Sequence, residues 1–160
     1  MSSPIPIVRS EDEGEERWFY GGGIHRWKAT SAETNGAFIL FEDRVESGKT
    51  TPLHSHPDAD ETLYVLAGRI VVSIDDCEHT VGEGGMAFAP RGTPHAFLVT
   101  SPGTRVLTLQ TPGHAEAFFI DASTPMINHQ PGTVDLGRVQ ASAAHNGGTD
   151  LLGPPPFAVG

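Results

Sequence analysis

From residue 36 to residue 121 the chain is a succession of short apolar runs, each closed by Gly, Pro, Ser or Asp. That punctuation limits the fold more than any other feature. "GAFILFEDRV" (36–45) reads as a buried strand, rich in aromatic and aliphatic residues. "ETLYVLAG" and "RIVVSIDD" read as two strands of a short hairpin turning at Ala67-Gly68-Arg69. Asp75-Asp76 marks the next turn, and "EHTVGEGG" carries a short strand into a Gly-rich bend. "MAFAP", "HAFLVTS", "TRVLTLQTP" and "EAFFID" (116–121) supply four more. Short strands spaced about 8–12 residues apart, with turn residues between them, predict an all-β sandwich or barrel. The 19 Gly and 13 Pro are spread through the chain, as turns require, and do not form a low-complexity tract. After the strands, Leu136, Val139 and Ala143 recur at helical spacing. They predict a short helix over 135–146 with Gly147 closing it. "LLGPPPF" beyond it is extended, because each Pro fixes its own φ and restricts its predecessor.

Composition removes several function classes. A chain of 160 residues suits one compact domain with a core of its own. Cys77 is alone, so no intramolecular disulfide forms, and the sequence places it as a small packed residue at a turn. The formal net charge of −10 opposes binding to a phosphate backbone, so no nucleic-acid partner is expected. No apolar run has the length of a membrane span, and the N-terminal residues carry no apolar signal-peptide core, which predicts a cytoplasmic protein without a membrane partner. The acidic run from Glu11 to Glu16 reads as a solvated segment.

Four polar residues stand where an apolar interior is expected. Side chains on a strand alternate faces with period two, so His54 and His56 in "LHSHPDADE" project to the same side. Glu61 opens the next strand, in phase with Leu63 and Val65. His95 opens another, in phase with Phe97 and Val99. An unpaired carboxylate or imidazole in such surroundings is costly, and a metal ion would satisfy these groups together. Three imidazoles and a carboxylate suit a divalent transition metal such as Mn, Fe, Co, Ni, Cu or Zn. His25, His79, His114, His129 and His145 lie outside these clusters and are expected at the surface. "YGGGIH" (20–25) reads as a flexible turn and lacks the Gly-Lys-Ser/Thr of a phosphate loop.

The same residues fall into a recurrent spacing. Gly48, five residues, His54, one residue, His56, four residues, Glu61, six residues and Gly68 resemble the first motif of the cupin family. Gly84, five residues, Pro90, Gly92, two residues and His95 resemble its second. Val99 stands where that motif usually carries Asn, and it is expected to make the pocket wall more apolar. The resemblance implies a cupin jelly-roll β-barrel (a double-stranded β-helix) with a short C-terminal helix. It also implies one metal ion held by His54, His56, Glu61 and His95. The boundaries that follow are a single cupin domain over 1–160, with a barrel core at about 36–121, an N-terminal extension at 1–35, and the helix and Pro-rich tail at 122–160. Cupins commonly pair through N-terminal strands, so "RWFYGGGIHRWKA" becomes a candidate for homodimer contact.

Three stretches, "HPDADETLYVLAG", "FAPRGTPHAFLVTS" and "NGGTDLLGPPPF", are similar to the quercetinase-like group of single-domain cupin-2 proteins. That likeness implies a dioxygenase of a small phenolic or flavonol-like substrate. Glu61 would be both ligand and general base, dioxygen the second substrate, and Phe41, Phe88 and Phe97 candidates for the wall around a flat ring. Cupins host many chemistries. A metal-dependent isomerase, cyclase or lyase using the same Glu61, and a non-catalytic small-ligand-binding module, are therefore the alternatives.

Overall fold

In the computed structural model, which describes residues 3–128 and 130–158, twelve strands and two short helices follow one another along the chain. The strands are β1 (Glu16–Phe19), β2 (Ile24–Ala29), β3 (Ile39–Val45), β4 (Leu53–Ser55), β5 (Asp60–Ala67), β6 (Arg69–Ile74), β7 (Cys77–Gly82), β8 (Met86–Ala89), β9 (His95–Val99), β10 (Thr104–Thr111), β11 (Ser123–Pro125) and β12 (Asp150–Gly153). Helix α1 spans Glu116–Asp121 and α2 spans Leu136–Asn146. They form two antiparallel sheets, one of seven strands in the order β11-β1-β2-β3-β10-β5-β8 and one of five in the order β12-β4-β9-β6-β7. The all-β expectation and the C-terminal helix are both met.

The turn at Gly68 differs from its sequence reading. β5 pairs with β10 and β8, whereas β6 pairs with β7 and β9 in the other sheet. Gly68 therefore passes the chain from one sheet to the other instead of closing a hairpin. It does so at φ +83°, in contact with Thr104, where a Cβ would sit 2.2 Å from the Thr104 hydroxyl. Only glycine fits that crossing. The true hairpin is β6–β7, turning through Asp75 and Asp76, both with positive φ as a two-residue hairpin turn demands. Cys77 follows it and is exposed, not packed, because it opens the outer edge strand β7.

β-structure also reaches beyond the 36–121 span at both ends. β1 and β2 extend the seven-stranded sheet from β3, and β12 pairs with β4 at the edge of the other. "RWFYGGGIHRWKA" is thus engaged within its own chain.

Two apolar clusters fill the interior. One is aliphatic, with Val65, Ile70, Val72, Val99 and Val106 at or below 1% exposure. β5 shows how it arises: Leu63 and Val65 point inward while Tyr64 between them is exposed, the period of two read from the sequence. The other is aromatic, built from Phe19, Trp27, Phe41, Phe118 and Phe119 with Val139 of α2. Removing Phe41, 2% exposed and at its centre, would cost about 3–5 kcal/mol.

"EAFFID" is helix α1 and not a strand. Phe118 and Phe119 are adjacent and both buried, against α2 and the β1–β3 aromatics. A strand would send such neighbours to opposite faces, whereas here a helical turn turns both inward. α1 and α2 are joined by a hydrogen bond from the Ser142 hydroxyl to the Phe118 carbonyl, 2.8 Å. α2 is capped by the Asp135 carboxylate, which accepts from the Arg138 amide, and is closed by Gly147.

Candidate metal centre

His54 and His95 are opposite one another across the β4–β9 ladder. His56 follows one pleat later, just past the end of β4, and Glu61 enters from β5 in the facing sheet. One donor atom from each of the four lies within 4.8 Å of every other. The three imidazole centroids are 4.4, 5.1 and 5.3 Å apart. His56, Glu61 and His95 are 2%, 6% and 3% exposed, and His54 lines an adjoining cavity. The structure therefore brings together all four residues that the motifs single out.

The hydrogen bonds behind the rings decide which nitrogen faces the cluster. His54 Nδ1 donates to the Pro52 carbonyl at 2.7 Å and His95 Nδ1 to the Thr93 carbonyl at 2.8 Å. His56 Nδ1 lies 3.1 Å from both the Gly148 carbonyl and the Thr149 hydroxyl. A carbonyl only accepts, so each Nδ1 carries the proton and each Nε2 presents a lone pair inward. Three lone pairs and a carboxylate pointing at one another repel unless a cation lies between them. His56 Nε2, 3.1 Å from a Glu61 oxygen, has no well-aligned hydrogen-bond partner among the described residues. Ligand distances of about 2.0–2.2 Å allow opposite donors to be about 4 Å apart, a span this cluster accommodates. The four residues fit a divalent metal site.

The Glu61 carboxylate is held as firmly. Gln110 Nε2 donates to Oε2 at 2.6 Å, and His95 Nε2 lies 3.1 Å from Oε1. Burial alone would raise its pKa, but His56 and His95, when protonated, outweigh that by their charge and hydrogen bonds and hold it well below the usual carboxylate range. Burial, reinforced by His95 and His56, pushes His54 down to about 3, so that ring is neutral at physiological pH. For His95 burial works downward too, but the hydrogen bond and charge of Glu61 prevail and its pKa is raised.

Beside this cluster is a cavity that opens to the surface. Phe41 and Phe97 line it as expected. Phe88 does not: it stands outward on β8, 48% exposed. Val99 does not line it either, being 1% exposed within the aliphatic cluster, so the absent Asn leaves the cavity wall unchanged. Phe19, Phe118 and Phe119 complete the aromatic wall, and Leu136 and Val139 of α2 close it. Phe118 and Phe119 were hidden by the strand reading of 116–121, though the doubled aromatic was itself a signal.

One further correction concerns a histidine. His25 is not at the surface: it is 2% exposed and stacked between Phe19 and Phe41, with centroids 4.7 and 4.3 Å away. It sits on β2 facing Phe41, where an aromatic ring fits the packing whatever its polarity. His79, His114 and His145 are exposed, as expected, and His129 lies outside the described residues. "YGGGIH" is a turn running into β2, its first glycine lining the cavity. Asp60 is paired with Arg91 at 3.2 Å. Among the described residues no helix is long and apolar enough to cross a membrane.

Comparison with known proteins agrees with this geometry. Residues 41–109 match the family described as "Cupin domain". Quercetin 2,3-dioxygenase of Bacillus subtilis is 29% identical over 125 residues, 78% of this chain, although the chain spans only 37% of that protein's length. A predicted oxalate decarboxylase from Thermotoga maritima superposes with a TM-score of 0.59 at 22% identity, over 67% of this chain and 99% of that one. An RmlC-like cupin from Shewanella frigidimarina gives 0.60 at 16% identity, over 69% and 95%. These two share the fold, the double-stranded β-helix.

Proposed function

This chain is a cupin, quercetinase-like in sequence, and we propose that it is a metal-dependent dioxygenase of a small phenolic or flavonol-like molecule. The observation that carries the proposal is the set of three inward-facing Nε2 atoms and one buried carboxylate opening onto an aromatic-walled cavity. Similarity to the Bacillus subtilis quercetin dioxygenase supports the substrate class.

His54, His56, His95 and Glu61 would hold the ion. When bound, a divalent transition metal supplies a cationic anchor that acidifies a substrate hydroxyl and brings it together with dioxygen. The remaining work belongs to the chain. Glu61 accepts the hydroxyl proton. It is ionised at neutral pH, and Gln110 fixes one of its oxygens while the other lies 3.1 Å from His95 Nε2. Phe41, Phe97 and Phe119 give a flat ring an apolar bed and exclude water. The net reaction is flavonol plus dioxygen giving the ring-opened ester plus carbon monoxide. A homodimer and a cytoplasmic location are part of the same proposal, checked by sedimentation and by cell fractionation.

The test is incubation of metal-loaded protein with a flavonol panel, with and without oxygen, following flavonol absorbance and oxygen uptake together. Loss of absorbance that requires oxygen is the expected result. Turnover without oxygen would replace this reading with isomerase or lyase chemistry at the same Glu61. Unchanged spectra in both atmospheres would remove the substrate class.

A further inference from the structure

Across the aromatic wall from the histidine cluster, the cavity holds three more titratable side chains that the proposed chemistry leaves unused. They are Lys49, Asp43 and His25, and all three line it. Asp43 and His25 are 5% and 2% exposed, and the Lys49 side chain is 9% exposed. His25 and His56 each lie about one ring from Phe119, at 6.1 and 6.3 Å between centroids, so a single aromatic residue separates the two polar groups.

Their hydrogen bonding is incomplete. The Lys49 ammonium donates to the Gly22 carbonyl and lies 4.0 Å from Asp43 Oδ2, too far for a hydrogen bond. It also lies over the rings of Phe19 and Phe97, at 5.1 and 5.6 Å. Asp43 Oδ1 is 3.6 Å from His25 Nε2 and has no hydrogen-bond partner among the described residues, nor has His25 Nδ1. A buried carboxylate oxygen without a donor is rare in a folded chain and calls for an explanation. The fold has arranged for this one. Gly23 stands at φ +120° beside it, and a Cβ there would lie 2.7 Å from Asp43 Oδ1 and 2.9 Å from Val45. Gly22 supplies the carbonyl for Lys49. The glycine turn thus makes room for the pair.

We propose that Lys49 and Asp43 form a second polar subsite, which takes a neutral phenolic hydroxyl at the end of the substrate remote from the metal. The ammonium has N–H donors to spare and Asp43 Oδ1 is a spare acceptor. A hydroxyl is the group that answers both: its oxygen accepts from Lys49 and its proton is donated to Asp43. A carboxylate at that end would meet Asp43, and an ammonium would meet Lys49, so the pair selects against either charge. His25, fixed between Phe19 and Phe41, lies 3.6 Å from the same Asp43 oxygen and limits where it can turn. The assignment rests on the flavonol-like reading of the cavity and adds to it a requirement for a second hydroxyl.

The experiment is an anaerobic absorbance titration of metal-loaded protein with 3-hydroxyflavone and with kaempferol, which adds ring hydroxyls to the same skeleton. In wild type, kaempferol binds about tenfold tighter or better, because a site built to hydrogen-bond a hydroxyl rejects the analogue that lacks it. In Lys49→Met/Asp43→Asn, which removes both charges together, that preference falls to near unity while metal per chain is unchanged. Equal affinities in wild type overturn the subsite and leave the flavonol reading intact, and that arm needs no variant to fold. A preference that survives in the variant overturns it too. Binding of neither flavonol removes both readings.

Discussion

Around His54, His56 and His95 every Nδ1 has a carbonyl or hydroxyl behind it, whereas across the same cavity His25 Nδ1 and Asp43 Oδ1 have no hydrogen-bond partner among the described residues. Both groups are buried, and both sit against the same aromatic wall. The difference is one of completion. The first group spends its outer atoms on the backbone, so the inner atoms are fixed in direction and protonation, as a metal requires. The second is left with a free donor and a free acceptor, as a changeable organic ligand requires.

The sharpest attack on this contrast is to empty the first group. His54→Ala/His56→Ala/His95→Ala should reduce transition metal from near one equivalent per chain to almost none, measured by plasma mass spectrometry. Retention of metal by that variant would dissociate the cluster from metal binding. A smaller change tests the supporting contact alone. Gln110→Leu removes the 2.6 Å hydrogen bond to Glu61 and should weaken metal affinity about 10–100-fold in a chelator competition. No change would mean that the carboxylate is positioned by the histidines alone.

The second group can be disturbed without touching the first. Gly23→Ala forces a side chain at φ +120° against Asp43 and Val45 and should cost about 1–3 kcal/mol. Calorimetry should show the melting temperature lowered by several degrees, with metal content preserved. Loss of metal as well would show that the two groups are mechanically one. The mildest perturbation is pH. His95 has a raised pKa, so below that value a proton occupies the nitrogen a metal needs, and above it the nitrogen is free. Metal affinity should therefore weaken as pH falls through and below that pKa, by up to about tenfold per unit for one competing proton. His54, held near 3, adds no competition in the neutral range. A flat profile from pH 8 to 6 in the same chelator assay would exclude His95 as a ligand.

Much of the first group could be read in the sequence, because its geometry is local. Two histidines at i and i+2 share a strand face in any sheet, and Glu61 and His95 were marked by their phase with Leu63, Val65 and Phe97. The second group could not be read that way. Asp43 sits in "FILFEDRV" as one of two consecutive acids, and only the pairing of β3 with β2 and the bend at Gly23 brings it to His25 and Lys49. His25 looked like a surface residue because nothing near it in sequence predicts a stack between Phe19 and Phe41. The strand pattern was legible as punctuation, yet it did not distinguish a hairpin at Gly68 from a crossing between sheets, since either turn wants a glycine. It also failed at "EAFFID", where six residues are too few for periodicity to separate a helix from a strand.

The hydrogen bond behind His56 spans 92 residues of chain, from the first motif to Gly148. β12, which follows directly, lies alongside β4 with Leu151 opposite His54. During synthesis the three histidines and Glu61 all leave the ribosome well before the backbone that orients one of them. A nascent chain halted before residue 148 therefore carries all four donors without the arrangement that makes them a site. Tight metal binding then reports that the tail has docked, and a nick in the Gly147-Gly148 turn would release metal before it unfolded the sheets.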